Sequence, residues 1–142
     1  TIDHDENPIR LLIVGGGITS AQLALSATKS IWCKSVTLIQ RSVSLCRQFD
    51  VKNEWMGNAR GKLLEKFWQM DMKCRAKYLK EARGGGSMPP EILNDLRSEE
   101  QKSRVHLKLK DEVQIAHVEW DGDNFCVFYD DASPCEKFDM IW

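Results

Sequence analysis

The stretch Leu11-Leu12-Ile13-Val14-Gly15-Gly16-Gly17 constrains this chain more than any other. A short apolar run reads as a strand, the glycines break it at once, and Ile18-Thr19-Ser20-Ala21-Gln22-Leu23-Ala24-Leu25-Ser26-Ala27 resumes at helical spacing. A strand that turns through glycines into a helix presents backbone amides to an anion such as a pyrophosphate. In G-x-G-x-x-G terms the positions are Gly15, Gly17 and Ser20, the serine being small enough for close helix–strand packing. Glycines also punctuate ordinary turns, so the strand before and the helix after give the motif its weight. Gly15, Gly16, Gly17, Ile18, Thr19 and Ser20 are the candidate phosphate-binding turn.

The next strand ends Val36-Thr37-Leu38-Ile39-Gln40-Arg41, and no acid follows before Asp50. An adenosine ribose with a free 2′-hydroxyl wants a carboxylate at this point. A 2′-phosphate is repelled by one and wants guanidinium groups instead. Arg41 and, six residues on, Arg47 supply them. The pattern implies NADP (NADPH) rather than NAD.

Composition excludes several classes. With 142 residues and a net charge of −1, the chain has the size of one domain and no electrostatic case for nucleic acid or an anionic membrane. No apolar run approaches the roughly 18 residues of a membrane span, and no secretory signal is visible. Cys33, Cys46, Cys74, Cys126 and Cys135 are odd in number and form no C-x-x-C pair. That argues for reduced thiols in a cytoplasmic setting, and against a disulfide framework or a metal site.

Along the chain, strands are expected at about 10–15 and 35–40 with a helix at about 18–30 between them. Residues 57–82 have helical texture, with Leu63, Leu64, Phe67, Trp68, Met72 and Tyr78 among charges of both signs. This stripe is expected to pack against the sheet or a missing domain rather than to stack on bases. Pro89-Pro90-Glu91 opens a further helix to about 101. Val105–Leu109 alternates like a strand, and Val113–Trp120 with Asn124–Tyr129 flank Asp121-Gly122-Asp123 as a β-hairpin. Residues 1–8 read as a polar linker, and Phe138–Trp142 as a strand that breaks off. The expectation is one α/β domain over 9–142 with a helical insertion at about 51–103, a fragment of a larger protein.

With these residues in view, the chain resembles the NADPH-binding domain of flavoproteins with two dinucleotide-binding domains. That group includes glutathione reductase, flavin monooxygenases and lysine or ornithine N-hydroxylases. The stretch Arg41-Ser42-Val43-Ser44-Leu45-Cys46-Arg47-Gln48-Phe49-Asp50 is similar to the glutathione-reductase segment whose two arginines grip the 2′-phosphate. The resemblance implies Arg41, Ser42 and Arg47 as cofactor ligands. It also implies a Rossmann-like parallel sheet with a β-meander crossover, and leaves the 51–103 insertion only loosely placed. No fingerprint with an acidic ribose ligand is present, so FAD is expected in the parent protein on a domain outside this segment. The isolated segment is then expected to be inactive and to carry no catalytic residue of its own. The missing C-x-x-C leans toward a monooxygenase rather than a disulfide reductase.

A second glycine cluster, Arg83-Gly84-Gly85-Gly86-Ser87, precedes the Pro89 helix at the carboxyl edge of the sheet. It is either a cofactor or substrate loop or a plain connector. His106 and His117 read as structural, and nothing gives His4 a role. Two other functions stay open: a non-catalytic dinucleotide-binding sensor, and an S-adenosylmethionine-dependent methyltransferase. Gln40-Arg41 speaks against the latter, which needs an acid near the end of the second strand.

Overall fold

The computed structural model describes residues 8–49, 52–83, 87–102 and 106–142. Residues 1–7, which hold most of the expected linker, and Gly84, Gly85 and Gly86 lie outside the described residues. The apolar run forms β1 (Ile9–Val14), the glycines turn it into α1 (Ile18–Ala27), and β2 (Cys33–Ile39) follows. After a 3-10 turn at Asn53–Trp55 come three helices, α2 (Arg60–Gln69), α3 (Met72–Arg83) and α4 (Pro90–Gln101). The remainder is strand: β3 (His106–Lys110), β4 (Ile115–Trp120), β5 (Phe125–Tyr129), β6 (Glu136–Phe138) and β7 (Met140–Ile141). Strands β3-β2-β1-β7 form a parallel sheet in that order, and β4-β5-β6 an antiparallel meander. This is the α/β architecture the resemblance implies.

β1 shows why the two layers stack. Side chains alternate across a strand, so Leu11 and Ile13 join Ala21, Ala24, Val36, Leu38, Leu93 and Leu96 in one core, under α1 and α4. Leu12 points the other way, into a second core with Ile39, Val127, Tyr129 and Phe138 from the meander. On α1 the buried residues are all alanines, Ala21, Ala24 and Ala27, which lets the helix lie close to the sheet. A polar cluster also joins the layers. Lys110 Nζ donates to Glu136 at 2.6 Å, Tyr129 Oη donates to the other oxygen at 3.0 Å, and Lys110 lies 4.6 Å from the Tyr129 ring centre. Burial raises the Tyr129 pKa, and the neighbouring Glu136 carboxylate raises it further. Burial opposes the charge on Glu136, yet the hydrogen bonds from Lys110 and Tyr129 hold its pKa below the usual range.

Two expectations are corrected. The last strand is not continuous: β6 pairs with β5 in the meander, and β7, one residue later, pairs with β1 in the parallel sheet. Asp139 makes the switch. Its carboxylate accepts from the Arg10 amide at 2.6 Å, from Nε at 3.0 Å and from Nη2 at 2.9 Å, while its own amide donates to the Arg10 carbonyl at 3.0 Å. Arg10 Nη2 also reaches Asn124 at the meander turn. That turn is closed by Asp121 Oδ1, which accepts from the amides of Asp123 and Asn124, with Gly122 at φ +109°.

The second correction concerns the aromatic stripe, for which packing against the sheet does not occur: its ring contacts are made among α2, α3 and the 3-10 turn. Phe67 meets Trp68 edge-on and Tyr78 at a tilt, Tyr78 meets Trp55, and the Arg75 guanidinium lies 5.4 Å from the Trp68 ring centre. No residue of α2 is buried, and Trp68 stays 67% exposed. So few apolar groups, set among lysines and arginines, make a small cluster of their own rather than a face that the sheet could cover.

The Arg10–Asp139 clamp gives a testable expectation. Both side chains are about a third exposed, so Asp139→Asn should lower stability near pH 7 by about 1–2 kcal/mol, the lower range for charge-assisted hydrogen bonds. The hydrogen bond from Arg10 lowers the Asp139 pKa, against the opposing effect of burial. The folded state therefore holds fewer protons here than the unfolded chain, whose carboxyl titrates near about 3.9. The contribution is complete above that value and is lost as pH falls through the lower folded value. Denaturant melts of parent and variant should differ at neutral pH and converge in acid; a gap constant with pH would exclude the ion pair.

Candidate functional site

The parallel strands end at a cleft of about 890 Å³, a size typical of small-molecule sites. In open α/β sheets the carboxyl ends of the strands are where ligands sit. Val14, Gly15, Gly16 and Gly17 line one side, and Ile39 with residues 40–43 and Leu45 continue from β2. The opposite wall, Glu112, Val113, Gln114 and Ile115, comes from the connection into β4.

The three glycines are not equivalent. A Cβ on Gly15 would lie 3.2 Å from the Ser20 side chain. One on Gly16 would lie 2.8 Å from Gln40 Oε1. One on Gly17 would meet nothing within 4 Å, because that position opens outward. Gly17 is the N-cap of α1 and offers no side-chain cap, and the first turn has no acid. The first amides of the helix therefore point out uncapped at its electropositive end. Ser20 does more than fill space: its Oγ lies 2.9 Å from the Gly15 carbonyl and 2.7 Å from that of Gly17, tying the helix back onto the turn. Ile18 and Thr19 are exposed on the first turn of α1 and do not line the cleft.

Gln40 is the buried polar centre of the site, 5% exposed. Its Nε2 donates to Asp111 Oδ1 and to Ser44 Oγ. Asp111 Oδ2 in turn accepts from the Ser44 amide at 3.2 Å. The backbone joins in, with the Gln40 amide donating to the Lys110 carbonyl at 2.9 Å and the Val113 amide to that of Gln40 at 3.1 Å. The sequence motif did not reveal Asp111, Glu112 or the wall beyond. The signal that would have found them is register: Ile39 pairs with Lys110 in adjacent parallel strands, so the next residues, Gln40 and Asp111, must be neighbours. Glu112 adopts φ +58°, a left-handed conformation that costs a non-glycine residue about 1–2 kcal/mol.

Arg41 and Ser42 are exposed on the cleft wall, and Arg41 has no ion-pair partner among the described residues. Arg47 lines a separate crevice of about 380 Å³ with Phe49 and Lys52. Its amide donates to the Met88 carbonyl at 2.9 Å, and the Met88 amide donates to that of Leu45 at 2.9 Å. This bridge sets the end of the second glycine cluster, where Ser87 and Met88 are buried, against the loop that follows β2. Arg83 closes α3. Among the described residues no group of His, Cys, Asp and Glu could hold a metal, and no helix is long and apolar enough to cross a membrane.

No family model and no curated protein matches the chain. Solved structures do. The ornithine N-hydroxylase of Kutzneria sp. 744, in its complex with reduced FAD, NADP+ and L-ornithine, superposes with a TM-score of 0.70 at 14% identity, over 98% of this chain and 36% of its own. The ornithine hydroxylase of Pseudomonas aeruginosa gives 0.71 at 14%, over 94% and 35%. The L-lysine 6-monooxygenase of Pseudomonas syringae gives 0.68 at 17%, over 97% and 35%. The chain thus spans about a third of the length of these structures. It shares the Rossmann-type fold of flavin-dependent monooxygenases, and the match takes in the helical stretch that the sequence resemblance leaves loosely placed.

The glycine geometry sorts the turn by stability alone. Gly16→Ala should cost about 1–3 kcal/mol, since the new methyl must displace the hydrogen-bonded Gln40 amide. Gly17→Ala should stay within about 1 kcal/mol of the parent, the difference between the two residues as N-caps. Thermal melts of the two variants test the order, and a Gly17 variant less stable than the Gly16 variant would contradict it.

Proposed function

We propose that this chain is the NADPH-binding domain of an FAD-dependent oxidoreductase, with a monooxygenase favoured over a reductase. The observation that carries the reading is one cleft that holds both the outward-opening Gly17 and Arg41, an arginine without an ion-pair partner among the described residues, with an amide rather than a carboxylate at position 40. The cleft fits the group. Its volume suits a dinucleotide, Gly17 leaves the room that a Cβ would fill, and the uncapped start of α1 suits a pyrophosphate.

In this reading Gly15, Gly16 and Gly17 with the first turn of α1 hold the pyrophosphate. Arg41 and Ser42 hold the 2′-phosphate, with Arg47 as a second cation. When bound, NADPH supplies a hydride for a flavin carried by a partner domain of the same parent chain, and the residues named here bind and orient. The fold neighbours support the setting, since they are flavin-dependent enzymes about three times the length of this chain. The setting proposed is cytoplasmic. Glu112 on the cleft wall is the one observation that favours another reading, because its carboxylate could accept from ribose hydroxyls in a dinucleotide sensor of NADH type.

Calorimetric titration of the 142-residue chain with NADPH and NADH at one ionic strength decides between them. NADPH should bind more tightly, and equal affinities would sink the assignment. Arg41→Ala should cost about 1.5–3 kcal/mol with NADPH and almost nothing with NADH. Arg47→Ala should cost less, because its side chain lines the other crevice. Gly17→Ala should weaken both dinucleotides alike.

A further inference from the structure

We propose that Asp111 is a positioning residue that sets which dinucleotide the cleft accepts, holding the 41–44 loop through Gln40 and Ser44 so that Arg41 stays on the cleft wall. The inference rests on the NADPH reading above and names what makes that site selective.

Asp111 and Gln40 stand 71 residues apart in sequence and meet only because β2 and β3 run in register. The 41–44 loop is fastened at both ends. At its start and finish, Gln40 Nε2 and the Ser44 amide both donate to the Asp111 carboxylate, and just beyond, residues 45–47 are bridged to Met88. Between these fastenings lie only Arg41, Ser42 and Val43, all exposed and all on the cleft wall. Where Arg41 sits is therefore decided by bonds that Arg41 does not make.

Asp111 also dictates the residue at position 40. The side chain there must donate to a carboxylate, which an amide does and an ionised acid does not. A carboxylate at position 40 is the group a 2′-hydroxyl would want, and here it would face Asp111 as a like charge at hydrogen-bond distance. The same aspartate thus fixes the loop that carries the arginine and bars the competing acid. Its own negative charge acts in the opposite sense on a bound phosphate, but it is directed into donors from Gln40 and Ser44.

The two effects of Asp111 separate under substitution. NADPH and NADH are titrated calorimetrically against the parent chain, Asp111→Ala, Asp111→Asn, and the double variant Gln40→Glu with Asp111→Asn. Hydrogen exchange at the Ser44 amide is followed in the free proteins, and circular dichroism confirms folding. Asp111→Ala should weaken NADPH roughly tenfold and NADH less than about twofold, with faster Ser44 exchange. Asp111→Asn, which keeps an acceptor for Gln40, should recover part of the preference. The double variant restores the contact with donor and acceptor exchanged, so Ser44 should stay protected while the preference moves toward NADH.

Equal losses for both dinucleotides in Asp111→Ala, or an unchanged ratio, would overturn the proposal. So would Asp111→Asn binding NADPH more tightly than the parent, since repulsion would then outweigh positioning. A parent chain without preference for NADPH removes the cofactor reading itself, and this inference with it. A parent that prefers NADPH while Asp111→Ala keeps the ratio removes the inference alone.

Discussion

The alternation of Leu11, Leu12 and Ile13, each at most 2% exposed, is the constraint on which the rest of the molecule depends. Two of them anchor the helical layer and one anchors the meander, so a single strand holds two cores in place. The strand is hydrogen-bonded on both edges, to β2 and to β7. Its first half carries Arg10, which pins the crossing between the sheets, and its last residue delivers the chain to the glycine turn. A one-residue slip would turn both cores inside out. The cleft inherits this rigidity, because its glycine side is the direct continuation of the strand.

The opposite sides of the cleft are held differently. They are loops, and loops keep a shape only when something fastens them. Here the fasteners are polar and come from far along the chain: Asp111 at the start of the loop after β2, and the backbone of Met88 at its end. A glycine turn that continues a buried strand and a loop tethered by polar contacts are different mechanical parts, built from different kinds of interaction.

The sequence made legible whatever depends on neighbours along the chain. The apolar run, the glycine break and the alanine-rich helix announced β1 and α1. Pro89-Pro90 announced α4, and Asp121-Gly122-Asp123 announced the meander turn. Each rests on local backbone preference or periodicity. What stayed hidden depends on pairing across the fold. The break at Asp139 follows from a partner at position 10, and the wall at 111–115 from strand register. So does the place of Arg47, whose backbone amide donates to the Met88 carbonyl and which lines a separate crevice. The helical hairpin differs for another reason: aromatic residues at helical spacing state that a face is apolar without stating what covers it, and here they touch one another while Trp68 stays exposed.

The bridge at Met88 bears on how such a chain can diverge. Residues 47 and 88 are held together by one hydrogen bond, so the 3-10 turn, α2 and α3 between them belong to an excursion that starts and ends at the same spot. Closing a longer excursion costs little, about 0.6 kcal/mol for each doubling of its length. The α2–α3 hairpin is therefore a cassette: it can lengthen, shrink or be exchanged for other structure with the cleft left in place. Selection on whatever the hairpin meets can proceed separately from selection on what the cleft holds. The two hydrogen bonds of Met88 mark the boundary between these two histories.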